Sequence, residues 1–245
     1  MFTTVLWDVD GTLLDFNAAE SAAVKALFRE FGLGDCTDDM IRRYSAINVI
    51  YWQRLERNEL TKPQVLVGRF EQFFSEINID PRLAAPFNEQ YQYRLGDTIA
   101  YRDDSPDIVR VLRGKVRQYV VSNGTVVAQR RKLERSGLGA LMDGVFLSEE
   151  LGVEKPNPAF FDRVFERIAP VDRSQVLIVG DSLTSDMQGG INAGIRTCWY
   201  DPEQTPVPEG CQIDYVISDL HQVLPILGME KYDAGPSANK RDIFT

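Results

Sequence analysis

The sequence predicts an α/β fold, a doubly wound parallel sheet interrupted once by an all-helical insert. Three observations carry this. Short β-branched segments recur that are apolar on both parities, the mark of strands buried on both faces. Each is followed by a polar or glycine turn and then a helical pattern. Over residues 16–95 the strand pattern stops and apolar positions return at helical spacing.

The first strand is read over Thr3 to Val9 and ends in Asp-Gly-Thr. The insert then holds four predicted helices, Ala18 to Phe31, Asp38 to Asn58, Lys62 to Ile77 and Pro81 to Leu95. Thr61-Lys62-Pro63 and Asp80-Pro81 set a capping residue and a proline where helix starts favour them. The sheet resumes with strands over Val116 to Val121, Val145 to Leu147 and Val176 to Val179, and helices follow over Val126 to Ser136, Pro158 to Ile168 and Ser185 to Ala193. Thr197 to Tyr200 and Tyr215 to Ile217 read as further short strands. The expected organisation is a core of residues 1–15 and 96–228, a helical insert of residues 16–95, and a tail of residues 229–245. The tail has no periodicity and reads as flexible.

The 245 residues hold 27 Lys+Arg against 36 Asp+Glu, a formal net charge of −9. An acidic surface of this kind repels phosphate backbones and anionic lipid, so neither nucleic acid nor membrane is an expected partner. The most basic stretch, Arg130-Arg131-Lys132 with Arg135, reads as a solvated helix face. Cys36, Cys198 and Cys211 show no pairing or zinc spacing, and no leader or membrane-span pattern appears, so a cytoplasmic protein is expected.

Chemistry is expected where the strands end, since open α/β sheets bind ligands at the carboxyl edge. Asp8-Val9-Asp10-Gly11-Thr12 closes the first strand and brings two carboxylates to that edge. Ser122-Asn123-Gly124, Lys155-Pro156-Asn157-Pro158 and Gly180-Asp181-Ser182-Leu183-Thr184-Ser185-Asp186 follow three later strands. Taken singly, each has a structural reading: Ser122 as a helix cap, Lys155 as a surface lysine, Asp181 as a turn residue, Asp186 as an acid favoured by a helix dipole.

Together and in this order, the four signatures resemble those of the haloacid dehalogenase superfamily, whose members are mostly Mg²⁺-dependent phosphatases, and the insert resembles its cap. The resemblance implies Asp8 as a nucleophile that forms a phosphoaspartate. It implies Asp10 as the acid and base at the leaving oxygen and the attacking water. Asp8, the Asp10 carbonyl and Asp181 would hold Mg²⁺, with Asp186 hydrogen-bonding a metal-bound water or Lys155. Ser122 and the backbone of Asn123 and Gly124 would bind the phosphoryl group, and Lys155 would balance the carboxylates. An acid at position 10 argues for a leaving group that needs a proton, hence for ester hydrolysis over dehalogenation.

Asn48-Val49-Ile50-Tyr51-Trp52-Gln53-Arg54, Asn58-Glu59-Leu60-Thr61 and Gly68-Arg69-Phe70-Glu71 in the insert, together with Gly189-Gly190-Ile191-Asn192-Ala193-Gly194 and Thr197-Cys198-Trp199 in the core, resemble bacterial nucleotidases that hydrolyse pyrimidine nucleoside monophosphates, including non-standard ones. Asn48 and Trp52, four apart on one helix, share a face that can meet a base, and packing of the insert's own core is the other reading of Trp52. Arg69 reads either as a phosphate-steering group or as an ion-pair partner. His221, the sole histidine, falls away from every motif. The substrate expected is a small phosphate monoester, the assembly a monomer or homodimer. A sugar-phosphate or phosphoglycolate phosphatase is the rival enzyme, and a phosphate-binding protein without turnover the rival outside catalysis.

Overall fold

The computed structural model describes residues 1–229; the predicted tail beyond Met229 lies outside them. Six parallel strands form one sheet in the order β3-β2-β1-β4-β5-β6. The strands are β1 (Thr4–Trp7), β2 (Arg117–Ser122), β3 (Gly144–Leu147), β4 (Val176–Gly180), β5 (Arg196–Tyr200) and β6 (Tyr215–Ile217). The first strand is therefore central, paired in register with both β2 and β4 (Leu6 opposite Tyr119 and Ile178).

Alternation along β1 sends Val5 and Trp7 to one face and Leu6 to the other, so the sheet separates two apolar clusters. On one face Val5, Trp7 and Val179 pack with Ile108 and Leu112 of α5 (Ser105–Leu112) and Val223 and Leu224 of α10 (Val223–Ile226). On the other, Leu6, Val121 and Ile178 pack with Phe160, Phe161 and Phe165 of α8 (Pro158–Ile168). The eight-residue α5 lies outside the helices that the sequence predicts. The helix read over Ser185 to Ala193 divides into a π-turn, Leu183–Met187, and α9 (Gln188–Ala193).

Between β1 and α5 the chain is helical: α1 (Phe16–Glu30), α2 (Asp38–Glu56), α3 (Lys62–Glu76), and a short 3₁₀ turn, Pro81–Leu83, leading into α4 (Ala84–Arg94). The caps fall where expected: Asp80 accepts from the Arg82 N–H at 3.0 Å, and Gln64 accepts from the Thr61 N–H at 2.8 Å. These helices bury a third cluster of Phe28, Tyr44, Phe70, Phe73, Phe74, Phe87 and Tyr91. Tyr44 and Phe70 stack at 4.8 Å between ring centroids, which gives the insert an aromatic core of its own. The remaining helices are α6 (Val126–Arg135), after β2, and the single turn α7 (Ser148–Leu151), after β3.

Candidate active site

The carboxyl ends of β1, β2 and β4 converge with α2 and α4 around a cavity of about 490 Å³. It is lined from the sheet side by Asp8, Asp10, Ser122, Asn123, Gly124, Lys155, Asp181 and Asp186, and from the helical side by Phe16, Asn48, Trp52, Glu56, Arg69 and Gln92. Every site residue expected from the sequence borders this one space.

Lys155 organises the floor. Its side chain is 1 % exposed, and Nζ donates to Asp186 Oδ1 at 2.6 Å, Val121 O at 2.8 Å and Asp8 Oδ1 at 2.9 Å. The three donors of the ammonium are thus all used. Burial works against its charge, but the Asp186 and Asp8 carboxylates outweigh that and hold its pKa above the ordinary lysine value. Asn123 fixes the backbone beneath it, accepting from the Lys155 N–H and donating to the Lys155 carbonyl, each at 2.9 Å. The Asn123 amide is therefore spent inside the protein, and only its backbone is left for a ligand. Ser122 Oγ accepts from the Gly124 N–H at 3.1 Å, which leaves its own proton to donate.

Asp8, Asp181 and Asp186 bring carboxylate oxygens within 4.8 Å of one another. Burial raises the Asp8 carboxyl well above the usual range, and Asp186 and Asp181 push it the same way against Lys155. Asp181 is pushed up to about 7, by burial first and Asp186 second. Three carboxylates facing one lysine leave negative charge uncompensated, and their donors are all hard oxygens, so the set suits a divalent cation such as Mg²⁺. Thr12 Oγ1 donates to Asp181 Oδ1 at 3.1 Å. Gly11 has φ +95°, and a Cβ there would lie 2.4 Å from Asp181 Oδ2, so both backbone and space require glycine beside this carboxylate.

Asp10 sits apart from that cluster. Its Oδ1 accepts from Lys132 Nζ at 2.5 Å and its Oδ2 from Gln129 Nε2 at 2.6 Å, both on α6. The solvated basic face expected over Arg130 to Arg135 is thus corrected at one position. Arg130 and Arg131 pair with Glu150 and Asp97 near the surface, but Lys132 is 1 % exposed and turns inward to Asp10.

In the helical wall, Asn48 and Trp52 share the cavity-facing side of α2. The Asn48 amide bridges two buried charges: Nδ2 donates to Glu20 Oε1 at 2.9 Å and Oδ1 accepts from Arg69 Nη1 at 2.6 Å. Arg69 continues to Asn88 Oδ1 at 3.2 Å, and its guanidinium lies 6.0 Å from the Trp52 ring centroid. Burial raises the Glu20 carboxyl, opposed by the Ser45 hydroxyl and Arg69. The sequence pattern does not single out Glu20 or Gln129; the one local signal for Gln129 is its three-residue spacing from Lys132 on α6.

A parallel sheet with a carboxylate pair closing its central strand, a buried lysine and a third acidic strand end defines a hydrolase of the haloacid dehalogenase class. The haloacid dehalogenase-like hydrolase model matches residues 2–194, and the chain belongs to that family. It is 35 % identical to the HAD-hydrolase YfnB of Bacillus subtilis, over 94 % of this chain and 97 % of that protein. A crystal structure of YfnB bound to magnesium has a TM-score of 0.88 to this fold, covering 93 % of this chain and 99 % of that one at 34 % identity. The pyrimidine 5′-nucleotidase YjjG of Escherichia coli is 31 % identical over 91 % of this chain and 96 % of its own length. The pyrimidine 5′-nucleotidase PynA of Streptococcus pneumoniae is 32 % identical over 91 % and 94 %. Among the described residues no helix is long and apolar enough to cross a membrane.

Proposed function

We propose that the protein is a Mg²⁺-dependent phosphate monoester hydrolase acting on nucleoside 5′-monophosphates, with pyrimidines preferred. The observation that carries the reading is Asp8 at the end of the central strand, tied to Lys155 and facing Ser122 and two further carboxylates across a cavity with Trp52 in its opposite wall. The reading divides the chain into a core (1–15 and 96–228) and a cap (16–95), the cap carrying specificity.

Asp8 attacks phosphorus, forming the Oδ–P bond as the bond to the leaving oxygen breaks. Asp10 gives its proton to that oxygen and then, as carboxylate, takes one from the water that attacks phosphorus and releases Asp8 and phosphate. Ser122 and the backbone of Asn123 and Gly124 hold phosphoryl oxygens, and Lys155 offsets their charge. Asp8, Asp181 and the Asp10 carbonyl would hold Mg²⁺, with Asp186 steering Lys155; the bound cation supplies neutralisation of charge between the nucleophile and the phosphoryl group. The two relatives named as pyrimidine 5′-nucleotidases support the substrate class. A cavity of about 490 Å³ is large enough for a nucleotide, with the Trp52 ring offered to its base.

The test is phosphate release, with and without Mg²⁺, from pyrimidine and purine nucleoside monophosphates and several sugar phosphates, with Asp8→Ala as blank. A Mg²⁺-dependent pyrimidine preference supports the reading. Sugar-directed activity keeps the chemistry and replaces the substrate, and no release above the blank leaves a phosphate-binding protein.

A further inference from the structure

We propose that Lys132 and Gln129 of α6 are positioning residues for Asp10, holding its carboxyl group by one donor on each oxygen at the angle from which, as acid, it gives a proton to the leaving oxygen and, as carboxylate, takes one from the attacking water. The proposal rests on the phosphatase reading above. Lys132 Nζ reaches Oδ1 at 2.5 Å and Gln129 Nε2 reaches Oδ2 at 2.6 Å, so the group is fixed both in place and in rotation. Three residues apart on a helix, the two side chains leave the same face.

Neither contact is a surface accident. Gln129 is fully buried and Lys132 is 1 % exposed, and among the described residues Asp10 is the one carboxylate within ion-pair distance of that ammonium. A lysine is kept inside a protein only where its charge is met, so its burial is spent on Asp10. The centroid of the Phe16 ring, which lines the cavity, lies 5.1 Å from Nζ.

The clamp is also joined to the elements around it. A Cβ on Gly124 would lie 2.3 Å from Gln129 Nε2, so the bare backbone of the Ser122-Asn123-Gly124 turn makes room for the amide that holds Asp10. Thr125 caps α6 through the Ala128 N–H and donates to Gln92 Oε1 of α4 at 2.8 Å, which fixes the start of α6 against the helical wall. Asp10, the phosphate-binding turn and the cap are thus referred to one helix. None of the four strand-end signatures contains either residue.

Leaving groups test this. An alkoxide needs the proton of Asp10, whereas nitrophenolate departs as an anion, and kcat/KM includes only steps up to transfer of phosphoryl to Asp8. Lys132→Met and Gln129→Ala, prepared in the full chain with Mg²⁺ present, should each lower kcat/KM on a pyrimidine nucleoside 5′-monophosphate by about 100-fold. On p-nitrophenyl phosphate the same variants should lose less than about threefold. Lys132→Arg should restore much of the nucleotide activity. Equal losses on both esters, or none, overturn the clamp while leaving the phosphatase reading standing. Wild-type protein that releases phosphate from neither ester overturns both. The two substitutions act on different oxygens, so either variant that folds decides the matter.

Discussion

Lys155 and Asp186 form an ion pair at 2.6 Å with both side chains 1 % exposed, joining the loop between α7 and α8 to the turn after β4 beneath the cavity. Removing one partner of such a pair strands the other charge. Lys155→Met should therefore destabilise the fold by about 3–5 kcal/mol and abolish phosphate release together. Thermal unfolding and the phosphate assay on the same preparation check this; a stable, inactive variant would show that Lys155 serves only chemistry.

Asp10→Asn separates the carboxylate from the carbonyl of one residue. The substitution removes the proton donor and base, so turnover of a nucleotide should fall by about 10²–10⁴-fold. The backbone oxygen stays, and Mg²⁺ affinity measured by calorimetry should change little. Loss of Mg²⁺ binding would show that the carboxylate itself is needed for the metal.

Asn48 was read from the sequence as a contact for a base, yet both ends of its amide are held by Glu20 and Arg69. Asn48→Leu should leave a buried carboxylate and a buried guanidinium each short of a partner. The expected cost is about 2–4 kcal/mol, read as a lower unfolding midpoint in urea without substrate. A variant of unchanged stability but raised KM would return Asn48 to the substrate.

These contacts mark what a sequence does and does not disclose. The strands are legible because β1, β2 and β4 are buried on both faces and carry apolar residues at successive positions, as in Val5-Leu6-Trp7, Tyr119-Val120-Val121 and Val176 to Val179. Most of the floor of the site is legible because Asp8, Ser122 and Asp181 stand where those strands end, and Lys155 follows in the loop between α7 and α8. The eight residues of α5 fell below the length at which periodicity separates from loop, although Ile108, Val109 and Leu112 do form its buried side. Lys132 departs from the solvated face that its neighbours predict because its partner lies 122 positions away in the chain, while Arg130 does lie near the surface. Long-range pairing of this kind leaves no local pattern.

At the far edge of the sheet, Asp214 Oδ2 accepts from the Thr197 N–H at 2.9 Å and from the Thr197 hydroxyl at 3.2 Å, and Asp214 also pairs with Arg196. Burial opposes its charge, but those donors outweigh it and hold the carboxyl below the usual carboxylate value. A carboxyl depressed in the folded state stabilises above the unfolded pKa near ~3.9 and loses that contribution as pH falls through the folded value. Asp214→Asn should therefore lower Tm at pH 7 by about 3 °C, and the gap should narrow as the pH falls through the carboxylate range. A gap that is independent of pH would assign the effect to shape and not to charge.

Trp52 offers a test of where specificity lies. Its ring belongs to the cavity wall and is absent from the buried aromatic cluster of the helical insert, which forms around Tyr44, Phe70, Phe73 and Phe87. Trp52→Ala should therefore leave the unfolding midpoint close to wild type, since no packed core is emptied. The catalytic floor is untouched, so the rate on p-nitrophenyl phosphate should stay within about threefold. The loss should fall on substrates with a base to stack: an aromatic face contributes about 1–3 kcal/mol per base, a decline in kcat/KM of about 5- to 150-fold. Pyrimidine nucleotides should consequently drop toward the level of simple sugar phosphates in the ranking. If all substrates decline together, the ring supports the shape of the cap, and selection for the base must be sought at Phe16 or Glu56 in the same wall.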